Sequence, residues 1–258
     1  MEGESVACAI IGCVTRVLRI VATALITAGL VIALDVGLTL AWEEPLSNLY
    51  ASYQQNRAED DLRELERSFP DAAALDAAAG AASLEERVGI LADRFEDSPQ
   101  VEDGRAIGRI EIPAIGVRES VIEGTNTASL QKGPGHYTRS DDPDTQRAGD
   151  GSAFPGQGKT VGIAGHRTTY GAPFNKLDDL EPGDEIILEM PYATFAYKVQ
   201  DVEIVEPTEI DVVENVGYER LVLSACHPLY SAAQRIIAFA KLEEISLFGS
   251  GERIWQDP

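Results

Sequence analysis

Cys226 ends the apolar run Leu221-Val222-Leu223-Ser224-Ala225 and is followed at once by His227-Pro228. Nine residues further on, Arg235 opens a second apolar run, Ile236-Ile237-Ala238-Phe239-Ala240. Two short runs joined by a brief loop predict an antiparallel hairpin, which sets the end of the first strand beside the start of the second. Cys226 and Arg235 are therefore expected as neighbours. A third run, Thr160-Val161-Gly162-Ile163-Ala164-Gly165, ends in His166. A thiol, an imidazole and a guanidinium at three strand ends are the parts of a cysteine nucleophile with a base and an anion stabiliser. An unassisted cysteine is only a few per cent thiolate at neutral pH, so the chemistry needs a neighbouring base or cation. His166 is the candidate base and Arg235 adds positive potential. A cysteine alone at a strand end is commonly a small core residue, and only this company argues for chemistry.

The elements that must position these groups are strands. Along Leu221–Cys226 alternation sends Leu221, Leu223 and Ala225 to one face, and Val222, Ser224 and Cys226 to the other. From about Arg105 onward, short runs lie between Gly and Pro punctuation: Ile107–Ile112, Val117–Glu123, Thr160–Ala164, Asp184–Met190, Thr194–Val205, Glu219–Cys226 and Arg235–Leu242. Seven or eight such runs predict a mainly β fold, a closed or nearly closed barrel or a sandwich. The polar stretch Arg139–Lys159 reads as a long surface loop. Upstream, 53–100 is charged and alanine-rich, with helical spacing in Asp61–Arg67 and Ser83–Arg87, a capping-box spacing at Ser83 and Glu86, and interruptions at Pro70 and Gly80. Two helical pieces forming a stalk or a lid packed on the domain are expected, against the alternative of a solvated spacer.

Ile20–Trp42 carries a single charge, Asp35, over 23 residues, which is long enough for a transmembrane helix. Arg16 and Arg19 precede it, Trp42 sits at an interfacial position and Glu43 and Glu44 follow. The positive-inside rule then places the N-terminus in the cytoplasm and the large C-terminal part outside. A cleaved signal peptide ending near Thr39-Leu40-Ala41 is the rival reading, with an apolar stretch longer than its usual core. The expected organisation is a cytoplasmic segment 1–19, an anchor 20–42, an acidic helical stalk 43–104, a catalytic domain 105–245 and a short polar tail 246–258.

The formal net charge of −22 over 258 residues, with no cluster of Lys or Arg, argues against nucleic acid as a partner. Three cysteines, with Cys8 and Cys13 far from Cys226, leave at least one thiol unpaired and exclude a disulfide scaffold. Glu203, Glu206, Glu209, Asp211 and Glu214 are dense enough to raise the question of a cation, and in so acidic a chain they read as a solvated face.

The segment Ala164-Gly165-His166-Arg167-Thr168-Thr169-Tyr170-Gly171-Ala172-Pro173-Phe174, followed by 177–184, resembles the histidine segment of sortases. Leu223-Ser224-Ala225-Cys226-His227-Pro228 with Arg235 resembles their cysteine segment. The Gly-His-Arg-Thr-Thr-Tyr-Gly run and the His after the Cys look most like class E, the housekeeping type of high-GC Gram-positive bacteria. With Ile112–Gly116 and Gly133–Tyr137 the resemblance covers about Arg105–Leu242. It implies the closed sortase β-barrel with short helices and a cysteine transpeptidase. On that resemblance Cys226 forms a thioacyl enzyme at the Thr-Gly bond of an LPXTG- or LAXTG-like sorting signal, and an amine of the peptidoglycan precursor lipid II accepts the protein. His166 carries the proton and Arg235 stabilises the oxyanion, with thiolate and imidazolium present together. No metal or cofactor is required. Tyr170, Phe174, Ala225 and His227 are the candidate substrate-binding residues. His227 is also the competitor of His166 for the proton, and His136 reads as a turn or pocket-wall residue. Ala225 and Val222 depart from the family pattern, which has Thr at both positions. A pilus-building sortase and a non-enzymatic extracellular β-barrel binding module remain as alternatives. The short polar tail, where pilus-building sortases commonly carry a second membrane helix, speaks against the former.

Overall fold

A computed structural model describes residues 16–34, 37, 45–141, 148–247 and 253–255. Cys8, Cys13, Asp35, Trp42, Glu43 and Glu44 lie outside them, as does most of the tail. The chain divides into two units, Met1–Leu46 and Ser47–Pro258. In the first, helix α1 (Arg16–Leu34) is 19 residues long and apolar enough to cross a membrane. At 1.5 Å per residue it spans about 28 Å, close to the hydrocarbon thickness of about 30 Å.

The second unit is a barrel with helices on it. After α2 (Pro45–Ser68), α3 (Ala72–Ala78) and α4 (Leu84–Glu96) come β1 (Ala106–Ile112), β2 (Val117–Glu123), the short α5 (Thr127–Leu130), β3 (Gly135–His136), β4 (Thr160–Ala164), β5 (Glu185–Glu189), β6 (Ala193–Val205), β7 (Arg220–His227), β8 (Gln234–Leu247) and β9 (Arg253–Trp255). The sheet order is β6-β5-β1-β2-β3-β4-β7-β8-β9, and a further β6–β8 pairing closes the first eight strands into a ring. Two pairings, β2–β3 and β4–β7, are parallel. Closure leaves no free edge among those eight, which removes the aggregation hazard of open sheets.

Period-two alternation makes the barrel's inside. Ile110, Ile186, Leu188, Phe195, Tyr197, Leu221, Leu223 and Ile236 are all buried in one apolar cluster. The helices belong to that cluster too: Leu62, Leu65 and Phe69 of α2 and its C-terminal end, and Val88, Leu91 and Phe95 of α4, are buried in it. Burying each such side chain is worth about 1.5–3 kcal/mol, so the helices contribute to the same core as the strands. Ser83 caps α4 by accepting from the Glu86 N–H at 3.1 Å, while the Glu86 carboxylate accepts from Ala82 N–H rather than from Ser83. α2 is further tied by polar contacts. The Gln55 amide accepts from Ser120 N–H and donates to the Ser120 and Lys132 carbonyls at 3.2 and 2.7 Å. It fills the gap between β2 and the segment entering β3 as a missing rung would. Arg109 of β1 bridges Glu59 of α2 and Glu189 of β5.

Part of the expected surface loop 139–159 is interior. Phe154 is buried in the core, and the Gly156 and Gly158 N–H groups donate to the buried Glu219 carboxylate, which also accepts from the Tyr197 hydroxyl. Burial pushes Glu219 up to about 7 against the lowering effect of those donors. Polar composition in 149–157 thus goes with main-chain and side-chain groups that bond inward, while Arg139, Asp141 and Lys159 are exposed.

Candidate active site

Register alone gathers the three chemical groups. β4 and β7 run in parallel with Gly162 opposite Val222 and Ala164 opposite Ser224. The Gly165 N–H continues the ladder by donating to the Ser224 carbonyl at 2.9 Å. One step further, His166 leaves β4 on the side of Cys226. On the other flank β7 and β8 are antiparallel, and Cys226 is the direct partner of Arg235. Paired residues share a face, and alternation puts Val222, Ser224 and Cys226 on the outside of the barrel with Arg235, Ile237 and Phe239 of β8. Val222 and Ile237 sit in a separate small apolar cluster with Val205 and Val213, below the thiol along the same face. The Ser224 hydroxyl bonds to the Tyr137 hydroxyl at 2.8 Å, closing that floor.

Cys226 is unpaired and half-buried. His166 is also half-buried. Its Nε2 is sealed from solvent and has no hydrogen-bond partner. Burial lowers the His166 pKa below the usual histidine value. An imidazolium destabilised in this way is a stronger acid, which suits a group that must release a proton to a leaving amine. The Tyr170 ring lies over the imidazole, with centroids 5.1 Å apart. The Arg235 guanidinium donates through Nη1 to the carbonyls of Ala232 and Gln234 at 3.0 and 2.9 Å, within its own loop. Its Cα is thus opposite the thiol while its charge is parked on the loop main chain.

Arg167 was not singled out by the sequence reading, and it is the best-connected residue of the site. Its side chain is buried. It donates to the Asn175 carbonyl from Nε and Nη2 at 3.2 and 3.1 Å, meets the Asp178 carboxylate at 2.7 Å and donates from Nη1 to His227 Nδ1 at 2.9 Å. Arginine has no acceptor, so in this contact His227 accepts at Nδ1. Arg167 thereby ties the segment that follows His166 to the residue that follows Cys226. The available signal was an arginine one step along from His166 on the inward side, where a charge requires partners such as Asn175 and Asp178.

Two of the expected substrate-binding side chains are elsewhere. Phe174 is fully buried in the main core and Ala225 is buried there as well. Alternation sends Ala225 inward when Cys226 points outward, and Phe174 packs on Gly165 to anchor the histidine loop. Neither side chain reaches the outer face. Tyr170 and His227 do belong to the site, as neighbours of His166 and of Arg167. His136 is no pocket wall. It is buried between Glu123, at 2.8 Å from Nδ1, and the Ala153 carbonyl, at 3.0 Å from Nε2. Burial would lower its pKa, but the Glu123 charge and hydrogen bond together with the Ala153 carbonyl raise it. Both ring nitrogens face acceptors, as in an imidazolium locked into a structural ion pair.

A mixed eight-stranded barrel carrying a half-open thiol, an imidazole and a guanidinium at adjacent strand ends is built for acyl transfer through a cysteine. Sequence and structure comparisons place it more narrowly. The sortase-domain family model matches residues 110–243, just over half of the chain, and the chain belongs to the sortase family, a family of cysteine transpeptidases. Sortase D of Bacillus subtilis (strain 168) is 30% identical over 144 residues, 54% of this chain and 65% of that protein. Sortase SrtE1 of Streptomyces coelicolor is 30% identical over 157 residues, 55% of this chain and 42% of that protein. The chain therefore spans less than two-thirds of the length of these curated relatives. Among solved structures, Sortase E1 from Streptomyces coelicolor, with a tripeptide in its active site, superposes with a TM-score of 0.52 at 26% identity over 58% of this chain and 94% of that one. A Clostridium perfringens Sortase D5 transpeptidase has the same fold, with a TM-score of 0.52 at 24% identity over 72% of this chain and 97% of that one. The class E resemblance read from the motifs is supported by the SrtE1 and Sortase E1 matches.

Proposed function

We propose that this chain is a membrane-anchored housekeeping sortase that joins surface proteins to the cell wall. Cys226 Sγ attacks the carbonyl carbon of Thr in an LPXTG- or LAXTG-like sorting signal. The bond to Gly breaks, the leaving amine takes a proton from His166, and a thioester remains on Cys226. An amine of the peptidoglycan precursor lipid II then attacks the thioester, His166 takes the proton it sheds, and the C–S bond breaks to return the thiolate. Arg235 turns from its loop carbonyls to the carbonyl oxygen that becomes negative in both steps. The anchor at 20–42 holds the N-terminus in the cytoplasm and the catalytic unit outside, where sorting signals emerge.

The observation that carries this reading is the register that makes Cys226 the partner of Arg235 while the parallel β4–β7 ladder delivers His166 to the same strand end. The test is the intact mass of the full chain in detergent after incubation with a panel of sorting peptides. A covalent adduct equal to the peptide up to Thr is expected on the wild type. The Cys226→Ala variant should form no adduct and cleave no peptide, with a thermal midpoint nearly unchanged. Cleavage by Cys226→Ala would remove the mechanism. A Cys226 inert to alkylation at neutral pH, with no adduct from any peptide, would favour the binding-module reading instead.

A further inference from the structure

The loop that carries His166 passes through an expensive conformation. Tyr170, Gly171 and Ala172 have φ of +51°, +79° and +44°, three consecutive residues in the left-handed region. Glycine enters that region freely; tyrosine and alanine do so only at a conformational cost, and persist there only when their surroundings impose it. From the inner side Phe174 in the core and the Arg167 fork on Asn175 hold the loop.

The outer side is held by α2. The Ser47 hydroxyl, in the first turn of that helix, accepts from the Tyr170 main-chain N–H at 2.7 Å. Ala51, one turn on, is buried, and a Cβ at Gly171 would stand 3.2 Å from its methyl group. The Tyr50 ring meets the Tyr170 ring edge-on at 6.3 Å, and the Tyr170 hydroxyl accepts from Gln131 Nε2 at 3.1 Å. Tyr170 so fixed packs against the His166 ring, with the two planes tilted by 42°.

We infer that the first two turns of α2 are part of the catalytic scaffold: Ser47, acting through Tyr170, is a positioning residue for the His166 imidazole. This rests on the proposed sortase chemistry for its kinetic consequence, though not for its geometric one. The helix that continues the chain after the membrane segment is then a working wall of the site rather than a spacer.

The experiment uses the full chain in detergent with Ser47→Ala and Ser47→Thr, the latter keeping the hydroxyl acceptor. Loss of one main-chain hydrogen bond predicts a fall in kcat of about fivefold for Ser47→Ala, with KM within a factor of two, and recovery of most of the rate in Ser47→Thr. A function-independent arm reads the ring protons of His166. The chain has three histidines, so selective histidine labelling gives a resolvable spectrum. The His166 resonance should move towards the value of an unstacked ring in Ser47→Ala, and return in Ser47→Thr. A wild-type kcat together with an unmoved His166 resonance in Ser47→Ala overturns the inference. If the wild-type chain transfers no sorting peptide at all, the sortase reading fails, and the resonance arm alone still decides whether Ser47 positions His166.

Discussion

Arg235 sits between two sets of partners. In the free protein its guanidinium donates to the carbonyls of Ala232 and Gln234, bonds from a charged donor worth about 1.5–3 kcal/mol net. On the proposed chemistry, a negative oxygen developing beside Cys226 would add the attraction of opposite charges to the hydrogen bond, which a neutral carbonyl does not offer. The proposed role is thus a swing towards the reacting carbonyl as charge appears, as an oxyanion stabiliser and not a ground-state ligand would do. Arg235→Ala is therefore expected to lower kcat by a factor of about 100–1000 and to leave KM comparatively unchanged. Arg235→Lys keeps the charge without the planar fork and should recover part of that rate. Steady-state kinetics on a fluorogenic sorting peptide, with the thermal midpoint measured alongside, checks both. Normal turnover by a folded Arg235→Ala protein would reject the role. At the same scale His227 has its Nδ1 taken up by Arg167, so that His227→Ala is expected to cost less activity than His166→Ala, which kinetics on the same peptide checks.

Among the elements, α2 decides how the unit is bounded. A solvated spacer has no reason to bury leucines, yet Leu62 is fully buried and Leu65 nearly so, in the cluster that fills the barrel. The Gln55 amide and the Glu59–Arg109–Glu189 bridge add directional ties to β1, β2 and β5. Leu62→Ala should accordingly destabilise the whole unit by about 2–5 kcal/mol, in a single unfolding transition monitored by tyrosine fluorescence and far-ultraviolet circular dichroism. Two separate transitions, or a barrel transition unmoved by the substitution, would mean that α2 unfolds independently. The histidine loop has the opposite character from α2. It owes its shape to partners on both sides, Arg167 within and Ser47 without, and little to its own conformational preferences.

For the molecule as a whole, the sign and placement of charge matter more than its total. The 43 acidic residues against 21 basic ones set a strongly negative balance, whereas Arg16 and Arg19, in the first turn of α1, are the charges that bear on its proposed orientation. The chain is expected in the membrane fraction of cells, with an N-terminal tag protected and the catalytic unit digested when protease is added to intact cells. Protein recovered free in the medium with its N-terminus near Trp42 would show instead that the apolar segment is removed as a signal peptide.

Period-two alternation along 221–226 and the hairpin spacing between Cys226 and Arg235 were readable from the sequence because both are local. A strand's faces follow from its own residues, and a short loop leaves few ways to pair its flanks. The strands observed as β1, β2, β4, β5, β6, β7 and β8 were anticipated to within a few residues for the same reason, β8 alone running several residues longer. What local pattern could not supply is long-range. β3 is two residues long and has no periodicity to detect. The parallel β4–β7 pairing that delivers His166 to Cys226, and the β6–β8 pairing that closes the barrel, join segments whose register is set by the shared core. The same holds for Arg167, read in the sequence only as a motif letter: its role exists only once Asn175, Asp178 and His227 converge on a buried guanidinium. The reacting groups were thus legible as residue types at strand ends, while their support was decided by tertiary structure, because a buried polar group takes its partners from wherever the fold brings them.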